Sequence, residues 1–332
     1  MPADGFKLSV IIPVYNVSAW IGHCVESLMQ QTLKEGVEYI FVDDASTDDS
    51  IAKAKEIINH YPERKNQVCF LSHEVNKGLP AARNTGLAAA KGDYIFHCDS
   101  DDFVEPDMLE LMLQKAESED ADMVWCDWFL SFNENERPMH QPDAASARKA
   151  LGDMLNGSMK YNVWNKIVRR SLYTNNDIRF PDGYAMGEDM TMIRLAAKAR
   201  RVAHVGKPLY HYIRVNTGAM SQAYDERKLN ALSYNVDETI EFLRDNIKDD
   251  EINREIDWFL LNVKLPFLFT GNKTDIIRWR EWYTDANKHI ISNKALSMRT
   301  RLLQWCAGNG LSTINLVYHS IVFKLIYGKI YR

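Results

Sequence analysis

The sequence has few cysteines, and none in a useful pattern. Cys24, Cys69, Cys98, Cys126 and Cys306 are scattered through 332 residues, odd in number and without a CxxC pair. That excludes a disulfide framework and zinc-type spacing, so a reduced, cytoplasmic compartment is expected. The opening MPADGFKLSVIIPVYN lacks a basic start, and Pro13 interrupts its short apolar run. It reads as a strand, not a secretion signal. Internal repeats and low-complexity tracts are missing too. An excess of positive charge is absent: the net charge of −5 disfavours nonspecific binding to nucleic acid, and no nucleic-acid partner is expected. Acid itself runs out along the chain. Beyond Asp285 there is no Asp or Glu, while Lys288, Lys294, Arg299, Arg301, Lys324, Lys329 and Arg332 remain.

What is present is an ordinary globular composition, 46% hydrophobic and 26% charged, which argues against disorder and against a membrane-spanning class. The length suits one large domain with a smaller one appended. From Lys7 to about Leu130, the apolar runs LSVIIPV, YIFVD, VCFLS, YIFHCD and ADMVWCDWFL alternate with helix-like stretches near 18 to 31, 47 to 60, 79 to 91 and 106 to 118. Continuous apolar strands flanked by helices predict an α/β fold, a mostly parallel, doubly wound sheet covered on both faces. Residues 131 to 150 read as a long polar loop with the beginning of a helix, mixed structure resumes with VWNKIVRRSLY, and RVAHVGKPLYHYI reads as a strand or hairpin. From about 222 onward the spacing is helical.

In such sheets ligands gather at the carboxyl ends of the strands. The unusual residues stand there: Tyr15 and Asn16 after the first run, Asp43 and Asp44 after the second, and Asp99, Ser100, Asp101 and Asp102 after the fourth. Two carboxylates at i and i+2 can share one hard cation that also takes phosphate oxygens, which points to a metal diphosphate. A solvated acidic turn capping the helix near Pro106 explains the same residues. The run at 42 to 50, VDDASTDDS, offers natural helix caps, or a carboxylate for the imide N–H of a uracil base. Lys77, Gly78 and Arg83 surround the start of an alanine-rich helix, a place that suits phosphate or plain helix entry. At 187 to 189, Gly-Glu-Asp opens another helix, where acids also favour the helix dipole.

Together these elements resemble glycosyltransferase family 2, the inverting group with the GT-A fold. The resemblance rests on SVIIPVYN at 9 to 16, VDDASTDDS at 42 to 50, NKGLPAARNTGL at 76 to 87 and KGDYIFHCDSDD at 91 to 102. VWNKIVRRSL at 163 to 172, and GED at 187 to 189 followed by PLYHYIRVNTGAMS at 208 to 221, complete it. It implies a Rossmann-like GT-A catalytic domain over 1–220, its nucleotide-sugar half ending near 130 and its acceptor half following, with a helical region over 221–332. By position it implies that Pro13 and Tyr15 line the nucleoside pocket and that Asp44, with Asp43 beside it, contacts the base. Gly78, Ser100 and Arg83 fall on the donor side, Arg83 approaching the diphosphate. Asp101 becomes the principal ligand of Mg²⁺ or Mn²⁺, with Asp99 assisting at the donor's ribose or at the metal. Asp189 becomes the general base, with Glu188 as the second candidate. Trp164, Asn165 and Lys166 are carried over as acceptor contacts, and Lys77, His211 and Arg214 as phosphate contacts. Arg214 and Asn216 stand where many relatives offer a histidine, so the third protein ligand of the metal is left open.

The reaction implied is inverting transfer of a sugar, from a UDP-sugar in the first instance, to a hydroxyl of a glycan or lipid-linked saccharide, as in surface polysaccharide synthesis. Two other readings stay beside it: an inactive binding module of the same fold, and a haloacid dehalogenase-type phosphohydrolase using Asp99 and Asp101. The latter's motif belongs on the first strand, not the fourth. The acid-free, basic and apolar segment from 286 to 332 suits either a packed helix or peripheral contact with an anionic membrane.

Overall fold

The computed structural model describes residues 5–132, 135–214 and 225–322. Asn216 and the basic residues Lys324, Lys329 and Arg332 lie outside these. The chain divides into two compact units, one of residues 1–150 and 161–242, the other of 151–160 and 243–332.

The first unit carries a nine-stranded sheet. In chain order its elements are β1 (Leu8–Val14), α1 (Ile21–Met29), β2 (Val37–Asp43), α2 (Ser50–Ile58), β3 (Val68–Ser72), α3 (Leu79–Ala89) and β4 (Tyr94–His97). There follow β5 (Phe103–Val104), α4 (Met108–Ser118), β6 (Met123–Ser131), β7 (Glu136–Met139), α5 (Ala147–Asn156), β8 (Lys166–Arg169), α6 (Arg170–Asn175), α7 (Thr191–Lys198), β9 (Val202–Ile213) and α8 (Glu226–Asn246). Helices α5 and α8 run on into the second unit. The predicted strands and the first four helices stand where the apolar runs put them. RVAHVGKPLYHYI is one long strand, β9, with its register to β6 shifting near Asp127.

The strand order is β3-β2-β1-β4-β8-β6-β9-β5, with β7 on the outer part of β6. β3, β2, β1 and β4 pair in parallel. β8 runs against both β4 and β6, and β9 runs with β6. The sheet is therefore mixed but mostly parallel. The chain moves outward from β1 to β2 and β3, then returns to place β4 on the other side of β1. Between β1 and β4 the winding reverses, and that is where such sheets open a crevice beyond their carboxyl ends.

All seven residues of β1 are buried, as expected of a strand covered on both faces. Val10 and Ile12 join the cluster that holds Cys24, Val25 and Leu28 of α1 and Leu109 and Met112 of α4. Ile11 faces the other way, against α3, where the backbone comes so close that a Cβ on Gly86 would lie 2.3 Å from Ile11 Cγ2. Only glycine permits that approach, and it brings the whole of α3 down onto the sheet.

The second unit is helical: α9 (Ile252–Val263), α10 (Lys273–Glu281), α11 (Met298–Gly308) and α12 (Ser312–His319), the first three joined by short 3₁₀ turns. Its core includes Ile256, Phe259, Phe267, Trp279 and Cys306. Lys264 is buried among them, its ammonium donating to Trp282 O and Asn287 Oδ1 and lying 4.4 Å from the Trp279 ring centre. Two helices of this unit present apolar side chains to solvent. On α11 these are Met298, Leu302 and Trp305; on and just beyond α12 they are Ile314, Val317 and Ile321. Steps of three and four keep each trio on one face of its helix.

Candidate active site

Helix α3 is the hub. Successive residues of a helix point about 100° apart, and four in a row here reach four different parts of the unit. Arg83 donates from Nη2 to Asp99 Oδ1 at 2.9 Å and from Nη1 to Glu188 Oε1 at 3.5 Å. Asn84 donates to Phe180 O and Asp182 Oδ1 and accepts from Phe180 N–H, all within 2.9 Å. Thr85 Oγ1 meets His73 Nε2 at 2.8 Å, and His73 Nδ1 meets Asp44 Oδ1 at 2.6 Å. Gly86 lies against Ile11. Through Arg83, the acidic turn after β4 and the Gly187-Glu188-Asp189 segment, distant in sequence, form one site.

The electrostatics follow from burial. Arg83 is 1% exposed. Burial pulls its pKa down, but Asp99, Glu188 and Asp189 together hold it above the ordinary value. Glu188, its side chain 12% exposed, is pushed up to about 8 by burial and then by the charge of Asp189, against the pull of Arg83. Asp189 is raised as well, by burial first, with Arg83 opposing. Its Oδ1 accepts the Val163 N–H at 3.1 Å, which fixes the carboxylate against the segment before β8.

The acidic turn is unequal in its parts. Asp102 is buried, accepting from Tyr210 Oη and from Ile213 N–H at 2.8 Å each. Burial, then the charges of Asp101 and Asp99, push its carboxyl well above the usual range. Asp102 thus fastens the turn to β9, while Asp99 and Asp101 stay partly exposed and Ser100 is buried. Among the described residues, no group of three or more His, Cys, Asp or Glu is placed to hold a metal ion by itself. Two carboxylates nonetheless fit Mg²⁺ or Mn²⁺, which commonly binds one or two of them and completes its octahedron with waters and substrate phosphates.

Beside this turn, the loops after β1 and β2 are stitched together. Asn16 Oδ1 accepts from Thr47 N–H at 2.8 Å, Asp48 Oδ2 from Ser18 N–H at 2.9 Å, and Asp43 Oδ1 from Ser46 N–H at 2.9 Å. Asn16 and Ala45 both take a left-handed backbone, at φ 51° and 59°, a conformation that costs non-glycine residues energy and gathers at ligand sites. Tyr15 is 47% exposed over these loops, whereas Pro13 is buried within β1. Asp44 is 3% exposed. Besides His73, its oxygens accept the Lys77 and Gly78 N–H groups at 2.8 and 2.7 Å, so it ties the end of β2 to the entry of α3. The Lys77 side chain is exposed.

Several expected contacts lie elsewhere. His211 has both ring nitrogens on carboxylates, Nδ1 on Glu136 and Nε2 on Glu105, and its ring is stacked on Phe103 and Phe129. That leaves neither nitrogen for phosphate. Arg214 is exposed just beyond β9. Asn165 and Lys166 are buried: Asn165 Nδ2 donates to Cys126 O, and Lys166 Nζ donates to Asn162 O and Asn165 Oδ1. Burial lowers the Lys166 pKa to about 7, against the pull of Asp189. Trp164 stacks on Tyr210 and Tyr212. This stretch bears on the site by holding Asp189 through Val163, not by reaching outward. Asn84, Asp102 and Tyr210 are site residues that the motif reading did not assign, although all three lie inside the quoted motifs.

Residues 9–187 match the family model described as Glycosyl transferase family 2. The chain belongs to this family. EpsH of Bacillus subtilis is 30% identical over 85% of the chain and 79% of its own length. Staphylococcus aureus TarS, solved with UDP-GlcNAc, superposes with a TM-score of 0.69 over 98% of this chain and 93% of that one, at 21% identity. The mannosyltransferase PcManGT of Pyrobaculum calidifontis, solved with GDP-Man and Mn²⁺, gives 0.55 over 99% and 89%, at 15% identity. The likeness to these two structures is one of fold, the GT-A fold. The protein is a glycosyltransferase, and the phosphohydrolase alternative has no support in these relationships.

Proposed function

We propose that this glycosyltransferase transfers a hexose from a UDP-sugar to a hydroxyl of a glycan or lipid-linked saccharide, with inversion. The observation that carries the reading is the Arg83 bridge, which joins the acidic turn after β4 to a partly buried carboxyl pair on the 187–189 segment. The choice of UDP is supported by the likeness to TarS, which binds UDP-GlcNAc. Asp101 and Asp99 would hold Mg²⁺ or Mn²⁺ together with the donor diphosphate, and the cation would stabilise the negative charge of the departing nucleotide. Tyr15 lies over the nucleoside, with Asp43 and Asp44 shaping its loop. Asp189 takes the proton of the acceptor hydroxyl as it attacks the anomeric carbon from the side opposite the diphosphate. Glu188 is the second candidate, its Oε1 already engaged by Arg83 Nη1. Arg83 holds the two halves in register. Asp101→Ala should reduce Mn²⁺-dependent UDP affinity about tenfold or more, roughly 1.4 kcal/mol, and leave metal-free affinity unchanged. Calorimetry with and without Mn²⁺ measures this; identical metal dependence in variant and parent removes Asp101 from the metal site.

We further propose that the second unit rests on an anionic membrane surface, where a lipid-linked acceptor would be met. No helix of the described residues is long and apolar enough to cross a membrane, so contact would be peripheral. The exposed trios on α11 and α12 accompany Lys294, Arg299 and Arg301 in a segment without a single acid. Each basic residue near such a surface contributes on the order of 1 kcal/mol, added to the burial of the apolar face. Combining Leu302→Glu with Val317→Glu should lower partitioning onto phosphatidylglycerol vesicles by about tenfold or more in a sedimentation assay. An intact chain that stays in the supernatant would overturn the proposal.

A further inference from the structure

The segment that ends in Glu188-Asp189 is clasped by α8. Asn235, which is buried, donates from Nδ2 to Tyr184 O and to Met186 O at 2.9 Å each. Gly187 turns at φ 90°, and a Cβ there would lie 3.2 Å from Leu232 Cδ1. Tyr234 stacks on Tyr184 with ring centres 3.8 Å apart. The first two contacts are inside the protein. The tyrosines are in the open, 37% and 38% exposed.

Beside them is an open surface cavity of about 530 Å³, more groove than enclosed pocket, whose lining includes Gly183, Tyr184, Asp225, Glu226, Arg227 and Asn230. Arg227, Asn230 and Ala231 stand at steps of three and four, so one face of α8 forms its floor. Ligand cavities of this size combine an aromatic wall with a few convergent polar groups. Tyrosine supplies an apolar face together with a polar rim. Two carboxylates, a guanidinium and an amide of mixed sign suit hydroxyl groups better than they suit a polyanion. Tyr184 stands five residues before Asp189, at most on the order of 17 Å along an extended chain. The cavity thus opens on the loop that carries the proposed base, within the reach of a short oligosaccharide.

We propose that this cavity is an acceptor subsite for a neutral saccharide unit, with Tyr184 as its stacking surface and Arg227 and Asn230 as hydroxyl partners. The inference rests on the reading of Asp189 as the group facing the acceptor. Saturation-transfer NMR on the intact chain with UDP, Mg²⁺ and four neutral disaccharides (cellobiose, lactose, maltose and diacetylchitobiose) tests it. At least one disaccharide should receive saturation, and the signal should fall at least severalfold in Tyr184→Ala and in Asn230→Ala while the UDP signal persists in the same tube. Asn230→Ala keeps the test sound if loss of the tyrosine ring unseats the loop. No disaccharide signal from the unaltered protein, or equal signals from it and both variants, overturns the subsite. The UDP resonances report the donor reading separately: they vanish if that reading fails, whatever the saccharides do.

Discussion

Asp189→Asn should lower kcat by roughly a hundredfold to ten-thousandfold, the usual contribution of a positioned general base, with little change in UDP affinity. The amide keeps the size of the side chain and retains an oxygen to accept the Val163 N–H, but it cannot take a proton. Because burial raises the Asp189 carboxyl, the activity of the parent should fall as pH drops through a value above the ordinary carboxylate range. That acidic limb should be missing from whatever activity the variant retains. Glu188→Gln should cost far less, since the amide oxygen can still accept from Arg83 Nη1. Initial rates of UDP release across pH, with donor affinity measured separately, decide the matter. If Asp189→Asn turns over like the parent and Glu188→Gln does not, the two roles are exchanged.

Arg83→Ala should destabilise the fold by about 3–5 kcal/mol, the cost of breaking a buried ion pair from one side. The guanidinium lies between Asp99 and Glu188, close to Asp189, and its removal takes away the cation that these three partly buried carboxyl groups share. The sign of the pH dependence follows from Glu188. Its folded pKa, already about 8 against an ordinary 4.5, rises further without Arg83, so the folded state binds a proton that the unfolded state has released. The Glu188 contribution is then fully present below about pH 4.5 and is lost as pH rises through the folded value. The destabilisation should therefore shrink toward acid. Arg83→Lys should be intermediate, because one ammonium cannot serve two carboxylates as a guanidinium fork does. Urea unfolding at acid and alkaline pH measures both effects; a loss below about 1 kcal/mol at each pH would show that the bridge is incidental.

The apolar runs 8–14, 37–43 and 94–97 revealed the central strands because burial on both faces leaves no alternation to mislead the reader. The turn residues beyond them were legible for the same reason: an acid or a tyrosine that follows a continuous apolar run must stand at the rim. The order of the far half of the sheet was not legible, since the four residues of β8 wedge antiparallel between β4 and β6, and nothing local encodes that pairing. Role assignment by position met its limit at buried polar groups. Asp44, Asn165, Lys166 and His211 sit in motifs shared with enzymes, yet each has its polar atoms on partners inside the protein. A linear pattern cannot separate a side chain that holds a loop from one that faces a ligand. Asn235 left still less trace, lying beyond residue 187 where the family match ends.

The attachment of the acidic turn to β9 bears on the order in which the molecule is built. Asp102 draws its two partners from Tyr210 and Ile213, 108 and 111 residues later in the chain. During synthesis the strands up to β4 can pair soon after they emerge, since domains form from their N-terminal side as the chain grows. The carboxylate that anchors the turn, however, has no mate until a further third of the polypeptide has been made and the long loop closed. A nascent chain halted before Tyr210 would thus own a sheet whose acidic turn is still unanchored, and the turn would be fixed abruptly as β9 docks.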